Sequence, residues 1–126
     1  MLPLLTAHRL LLTFHVLDLS KIEWRETPYE GVWLNVLRRD AATGDATVLI
    51  RLKPGCSYPV HRHVGLEEVF ILQGGYRDYK GEHRAGDYVL NEADSAHRAV
   101  ALDGEDCVML AVAHGGVELI KKSLWS

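Results

Sequence analysis

The sequence predicts an all-β protein of one domain, built as an antiparallel sandwich or barrel. Three observations carry that expectation. Short β-branched or aromatic runs recur between turn signals at intervals of roughly 8–12 residues, the spacing of all-β domains. Helical periodicity is scarce. The chain of 126 residues has room for one core and shows no internal repeat, low-complexity tract or linker that would divide it.

In chain order the candidate strands are Val32–Arg38, Thr47–Leu52, Tyr58–His63, Glu67–Gln73, Tyr76–Tyr79, Asp87–Asn91, His97–Ala101, Cys107–Ala113 and Val117–Ile120. Turns are marked by Thr43-Gly44-Asp45, Lys53-Pro54-Gly55, Gly74-Gly75, Lys80-Gly81, Asp103-Gly104 and Gly115-Gly116. In the second strand Val48, Ile50 and Leu52 share one face, while Thr47, Leu49 and Arg51 share the other. Val69-Phe70-Ile71-Leu72 is apolar on both faces, the pattern of a central strand covered on two sides.

Composition narrows the partners. The net charge is −3 and hydrophobic residues make up 48% of the chain. No basic field is available, so nucleic acid and anionic membrane are not expected partners. No stretch reaches the ~20 apolar residues that cross a bilayer. Cys56 and Cys107 are too few for a disulfide framework, which suggests reduced thiols and a cytoplasmic location. The leucine-rich start, Met1 to Leu19, lacks a basic n-region and is interrupted by His8, Arg9 and His15. It reads as a strand or short helix packing on the barrel or on a second subunit.

The chemistry concentrates between Gly55 and Gly74, in the pattern G-x5-H-x-H-x3-E-x6-G. His61 and His63 are two residues apart, so on a strand both imidazoles leave the same face and can close on one ion. Val64-Gly65-Leu66 allows a turn, after which the next strand returns antiparallel and carries Glu67 back towards the histidines. Periodicity alone leaves Glu67 and Glu68 both eligible; the spacing to Gly74 favours Glu67. A second stretch from Gly86 reads as a strand, a polar turn and then His97 at the start of another strand. Three neutral imidazoles and one carboxylate suit a single divalent transition metal, with zinc and iron(II) foremost and manganese, nickel or copper also eligible. Because the imidazoles bind when neutral, metal affinity is expected to fall as pH drops towards ~6.5 and below.

These two stretches resemble the two motifs of the cupin superfamily. The first motif is matched at Gly55, His61, His63, Glu67 and Gly74. The second is matched at Gly86 and His97, while Glu92 stands where proline is usual, Asp94 where glycine is usual and Ala101 where asparagine is usual. Pro54-Gly55, the run from His61-Arg62-His63 to Glu67-Glu68-Val69, and Gly86-Asp87-Tyr88-Val89 are similar to cupins related to the ChrR-type anti-sigma factor. The resemblance runs from about Trp24 to Val112. It implies a jelly-roll barrel of six to eight strands (a double-stranded β-helix) with the ion in its wide mouth, and a homodimer through edge strands. It divides the chain into an N-terminal segment, 1–22, and a cupin domain, 23–126. The H-x3-C-x2-C pattern of the ChrR zinc-binding anti-sigma domain is absent here, so the resemblance implies the cupin half alone.

Around this set, Tyr58, Tyr76, Tyr88, His83, Arg98, Met109 and His114 are candidates of second rank. Tyr58 is three residues from His61 and on a regular strand faces away from it. His114 either lines the cavity or sits in the turn beside Gly115-Gly116. Ala99 shares the face of His97, whereas Arg98 points away. Cys107 reads as a small buried hydrophobe, and Trp24, Trp33 and Trp125 as packing anchors. Two functions follow. One is a mononuclear, dioxygenase-like oxidoreductase acting on a small chelating substrate, with Glu67 as the catalytic carboxylate that orients substrate or takes a proton. The alternative is a non-catalytic zinc site that binds a metabolite or senses stress.

Overall fold

The structure is a computed structural model that describes residues 16–120. His8, His15, Trp125 and the Lys121-Lys122 pair lie outside the described residues, as does most of the segment expected to pack on the barrel. Just before the barrel a single 3-10 turn, Leu19–Lys21, begins at Asp18, whose side chain accepts a hydrogen bond from the Ser20 amide.

Twelve strands follow: β1 Arg25–Glu26, β2 Val32–Arg39, β3 Ala46–Leu52, β4 His61–His63, β5 Glu67–Gln73, β6 Gly75–Asp78, β7 Gly81–Arg84, β8 Tyr88–Asn91, β9 Ala96–His97, β10 Val100–Ala101, β11 Cys107–Ala113 and β12 Val117–Leu119. The order of the main sheet is β1-β2-β3-β11-β5-β8. Two smaller sheets run β10-β6-β7 and β12-β4-β9. Every pairing is antiparallel. No helix among the described residues is long and apolar enough to cross a membrane.

Inward residues of the main sheet build the core. Val32, Leu52, Val69, Ile71, Met109 and Ala111 pack with Tyr76 and Cys107. Burying one such side chain contributes roughly 1.5–3 kcal/mol, and burial also raises the Cys107 thiol to about 12, which makes it an inert hydrophobe. On the opposite face Arg51 joins Asp106 at 2.7 Å, and its guanidinium lies 4.8 Å from the centre of the Trp33 ring.

Three local expectations are corrected. First, β4 and β5 do not pair with each other: β4 lies between β12 and β9, and β5 between β11 and β8. The chain changes sheets at Gly65, where a Cβ would collide with the His114 carbonyl oxygen, so only glycine allows the close crossing. Second, β5 is covered on one face only; Val69 and Ile71 are buried, but Phe70 on the other face is 43% exposed. Third, the strand expected over His97–Ala101 is two short strands, β9 and β10, and β7 was not foreseen at all.

Gly74 ends β5 with φ +65, and an added Cβ would stand 2.5 Å from the Asp106 carbonyl oxygen. Both backbone strain and collision oppose any side chain there. Gly74→Ala should therefore cost about 2 kcal/mol or more, read from the urea midpoint. An unchanged midpoint would refute this account of the turn.

Candidate metal centre

The sheets bring His61, His63, Glu67 and His97 together, with one potential ligand atom from each lying within 4.8 Å of all the others. The register explains the meeting. His61 of β4 is the direct partner of His97 of β9. Glu67 opens β5 in the main sheet opposite Asn91 and faces the histidines from there. All four are buried, at 4%, 1%, 7% and 7% exposure in chain order. Glu68 points to the other face and pairs with His114 and Tyr88.

Hydrogen bonds fix how each imidazole presents itself. His61 Nδ1 donates to the Pro59 carbonyl oxygen at 2.8 Å, and His97 Nδ1 donates to Asp78 Oδ2 at 2.9 Å. His63 Nδ1 lies 2.9 Å from Ser95 Oγ and 3.0 Å from the Ser95 carbonyl oxygen. The Ser95 hydroxyl spends its own proton on the Glu92 carbonyl oxygen, so it accepts from His63. With every Nδ1 protonated, the three Nε2 atoms of the neutral rings carry lone pairs.

Those lone pairs face one another. His61 Nε2 and His97 Nε2 are 3.1 Å apart with no proton to share. His63 Nε2 is buried, has no hydrogen-bond partner among the described residues and lies 3.2 Å from the Glu67 carboxylate. Without a cation this arrangement is repulsive and leaves buried acceptors unpaired. A divalent transition metal satisfies all four at once, and this donor set matches its chemistry. Burial also depresses His61 to about 4 and lowers His97, which keeps both rings in the neutral, ligating form. Burial works to raise Glu67, but the close contact with His63 and the other nearby histidines, together with the hydrogen bond donated by Asn91, outweighs it and holds the carboxyl below its ordinary range.

Three supporting residues escaped the sequence analysis: Asp78, Asn91 and Ser95. Asp78 has a fully buried side chain and accepts from both His97 and His83, at 2.9 Å each. Asn91 donates from Nδ2 to Glu67 Oε1 at 3.1 Å, and its Oδ1 accepts from Lys80 Nζ at 3.1 Å. A lysine only donates, so Lys80 decides which way the Asn91 amide points and thereby keeps a donor on Glu67. In Asp78→Asn a single amide oxygen cannot serve both histidines. Metal affinity should then fall about 10–100-fold in a competition titration; equal affinities would remove Asp78 from the centre.

The second motif's departures leave the turn intact. Asp94, in place of glycine, takes φ +67, a conformation that aspartate tolerates better than most residues. Its carboxylate is held by Arg62, and its amide donates to the His63 carbonyl oxygen at 2.7 Å.

His61, Glu67 and His97 open onto a cavity of about 560 Å³, otherwise walled largely by aliphatic side chains such as Val48, Ile50 and Met109. Tyr58 also lines it, edge-on to His61 with ring centres 5.0 Å apart. The sequence placed Tyr58 away from the site, but β4 begins only at His61, so alternation does not extend back to residue 58. Ala99 lines the cavity too. His114 is exposed and bonded to Glu68, while Arg98 is exposed beside Ser57.

The family description of a ChrR cupin-like domain matches residues 13–118. The chain belongs to this family. Its cupin-like domain is 38% identical over 95 residues to the anti-sigma-E factor ChrR of Cereibacter sphaeroides, covering 74% of this chain and 42% of that protein. The chain thus spans less than half the length of the curated relative it matches. ChrR in the crystal structure of Rhodobacter sphaeroides SigE with its anti-sigma ChrR superposes with a TM-score of 0.67 at 32% identity, covering 76% of this chain and 50% of that one. The acetylacetone dioxygenase of Acinetobacter johnsonii shares the fold, with a TM-score of 0.75 at 16% identity over 88% of this chain and 80% of that one. The cupin jelly roll expected from the two motifs is therefore the fold of this chain.

Proposed function

We propose that this ChrR-like cupin holds one divalent transition metal through His61, His63, His97 and Glu67, and uses it to capture a small, mostly apolar chelating molecule for oxidation by dioxygen. One observation carries the reading: three of the four ligand-bearing side chains form the wall of a roomy apolar cavity, so the ion would face a ligand and not solid protein. When bound, the metal supplies Lewis acidity and, as iron(II), one-electron chemistry towards dioxygen.

The chain's own residues divide the remaining work. Pro59, Ser95 and Asp78 lock the three rings so that no reorganisation is needed when ligand enters. Glu67, held as a carboxylate by Asn91, takes the proton that an enol or phenol gives up on binding. Val48, Ile50, Val69 and Met109 exclude water and favour an apolar body on the ligand.

A second reading, a ligand-sensing module without turnover, is favoured by the 38% identity to a protein named as an anti-sigma factor. Elemental analysis of protein purified without chelator or histidine tag tests the metal. Oxygen uptake by the iron(II)-reconstituted protein, over a panel of enolisable diketones, catechols and flavonols, tests the chemistry. Binding without uptake would select the sensing role, and protein that takes up no metal would defeat both.

A further inference from the structure

Tyr76, a residue of the cavity lining, carries a buried hydroxyl that is an anomaly. The residue is 1% exposed, and its oxygen has no hydrogen-bond partner among the described residues. A buried hydroxyl left unpaired is costly, and native proteins retain few of them. Packing does not call for one here. Tyr76 sits in the core cluster with Val69, Ile71 and Met109, where phenylalanine would fill the same volume without a polar atom.

Its position supplies the reason to keep the oxygen. Tyr76 lines the cavity together with His61, Glu67 and His97, and its ring stands edge-on to that of His97 with centres 6.4 Å apart. The acids nearby already accept hydrogen bonds: Asp78 from His83, His97 and the Lys80 amide, and Glu67 from Asn91. Burial raises the phenol above its ordinary range, so it remains a donor at neutral pH.

We propose that the Tyr76 hydroxyl donates a hydrogen bond to an oxygen of the molecule captured in the barrel, and so selects oxygen chelators such as enolates, hydroxamates or carboxylates. The proposal rests on the metal reading above and adds the partner that distinguishes one ligand from another. A molecule bearing the acceptor satisfies the phenol; one lacking it leaves a buried donor unpaired, which is the strongest form of discrimination a polar pocket has.

Tyr76→Phe removes the hydroxyl alone. The full chain, wild type and variant, would be loaded with cobalt(II) and titrated by visible absorption with two probes. Acetohydroxamate brings two oxygens. Imidazole, once bound through its lone pair, has only an N–H left and cannot accept from Tyr76. We expect the variant to bind acetohydroxamate about tenfold more weakly and imidazole within about twofold of wild type. Because the hydroxyl has no partner to lose, metal-free Tyr76→Phe should melt at the wild-type temperature or above. Equal acetohydroxamate affinities, no acetohydroxamate binding to wild type, parallel loss for both probes, or a lower melting temperature would each overturn the proposal. Failure of both proteins to take up cobalt would instead remove the metal reading, and this one with it.

Discussion

His63→Ala is expected to strip the metal from the protein, taking occupancy from about one ion per chain to under about a tenth and apparent affinity down by more than a hundredfold. His63 is the most enclosed of the four, at 1% exposure, and its Nε2 has nowhere else to direct its lone pair. Removing the ring leaves His61, His97 and Glu67 without the one donor of the set that is not part of the cavity lining. Loss of an inner ligand should exceed the 10–100-fold effect typical of outer partners such as Asp78. Stability gives a second, independent readout. In wild type, zinc at 100 times its dissociation constant should stabilise the fold by about 2.7 kcal/mol through mass action; in the variant that increment should vanish. The metal-free forms should differ less, because the alanine variant loses packing but also loses a lone pair opposed to a carboxylate. A His63→Ala protein that retains wild-type metal content and a zinc-dependent rise in melting temperature would show that the ion, if any, sits elsewhere.

How far the site was legible depends on the distance over which its parts communicate. His61, His63 and Glu67 fall within seven residues, so strand alternation and one turn suffice to bring them near each other, even though the turn proved to be a change of sheet. His97 was readable because a polar turn precedes it on a recognisable strand. Asp78, Asn91 and Ser95 were not, since each acts on a residue 19, 24 or 32 positions away, and register alone makes the match. No local pattern distinguishes such an aspartate from a solvated one. β7 escaped for a related reason: Gly81-Glu82-His83-Arg84 has no apolar alternation, and it becomes a strand because β6 supplies its hydrogen-bonding partner in a tight hairpin. Glycines and β-branched runs placed the main sheet well, with β5 and β11 matching their expected bounds residue for residue. What periodicity could not show is which faces end up covered, as Phe70 and Tyr58 demonstrate.

Acid should destabilise the metal-free protein well before it dislodges metal from the loaded one. In the unfolded chain His61 and His97 titrate near ~6.5. In the fold, burial holds His61 down to about 4 and lowers His97 in the same direction. Between those limits the unfolded state binds more protons than the folded state, so stability rises with pH and is lost on acidification from about pH 6.5 towards about 4. His61 alone contributes on the order of a few kcal/mol, and His97 acts in the same direction. Glu67 and Asp78, both held below their ordinary values, add to the loss at still lower pH, as protons reach the unfolded carboxylates first. The same depression shifts the metal's competition with protons. The sequence alone led us to expect affinity to fall from pH ~6.5, where free imidazole protonates; burial moves that fall towards the lower value of His61, so the ion should be retained through pH 5.5. Urea titrations of chelator-treated protein at pH 7, 6, 5 and 4, beside metal analysis of loaded protein dialysed at each pH, read the two effects separately. A flat stability between pH 7 and 4.5 without metal, or full release of metal by pH 6.5, would mean that the three rings are solvated, and the buried, preorganised centre described above would not exist.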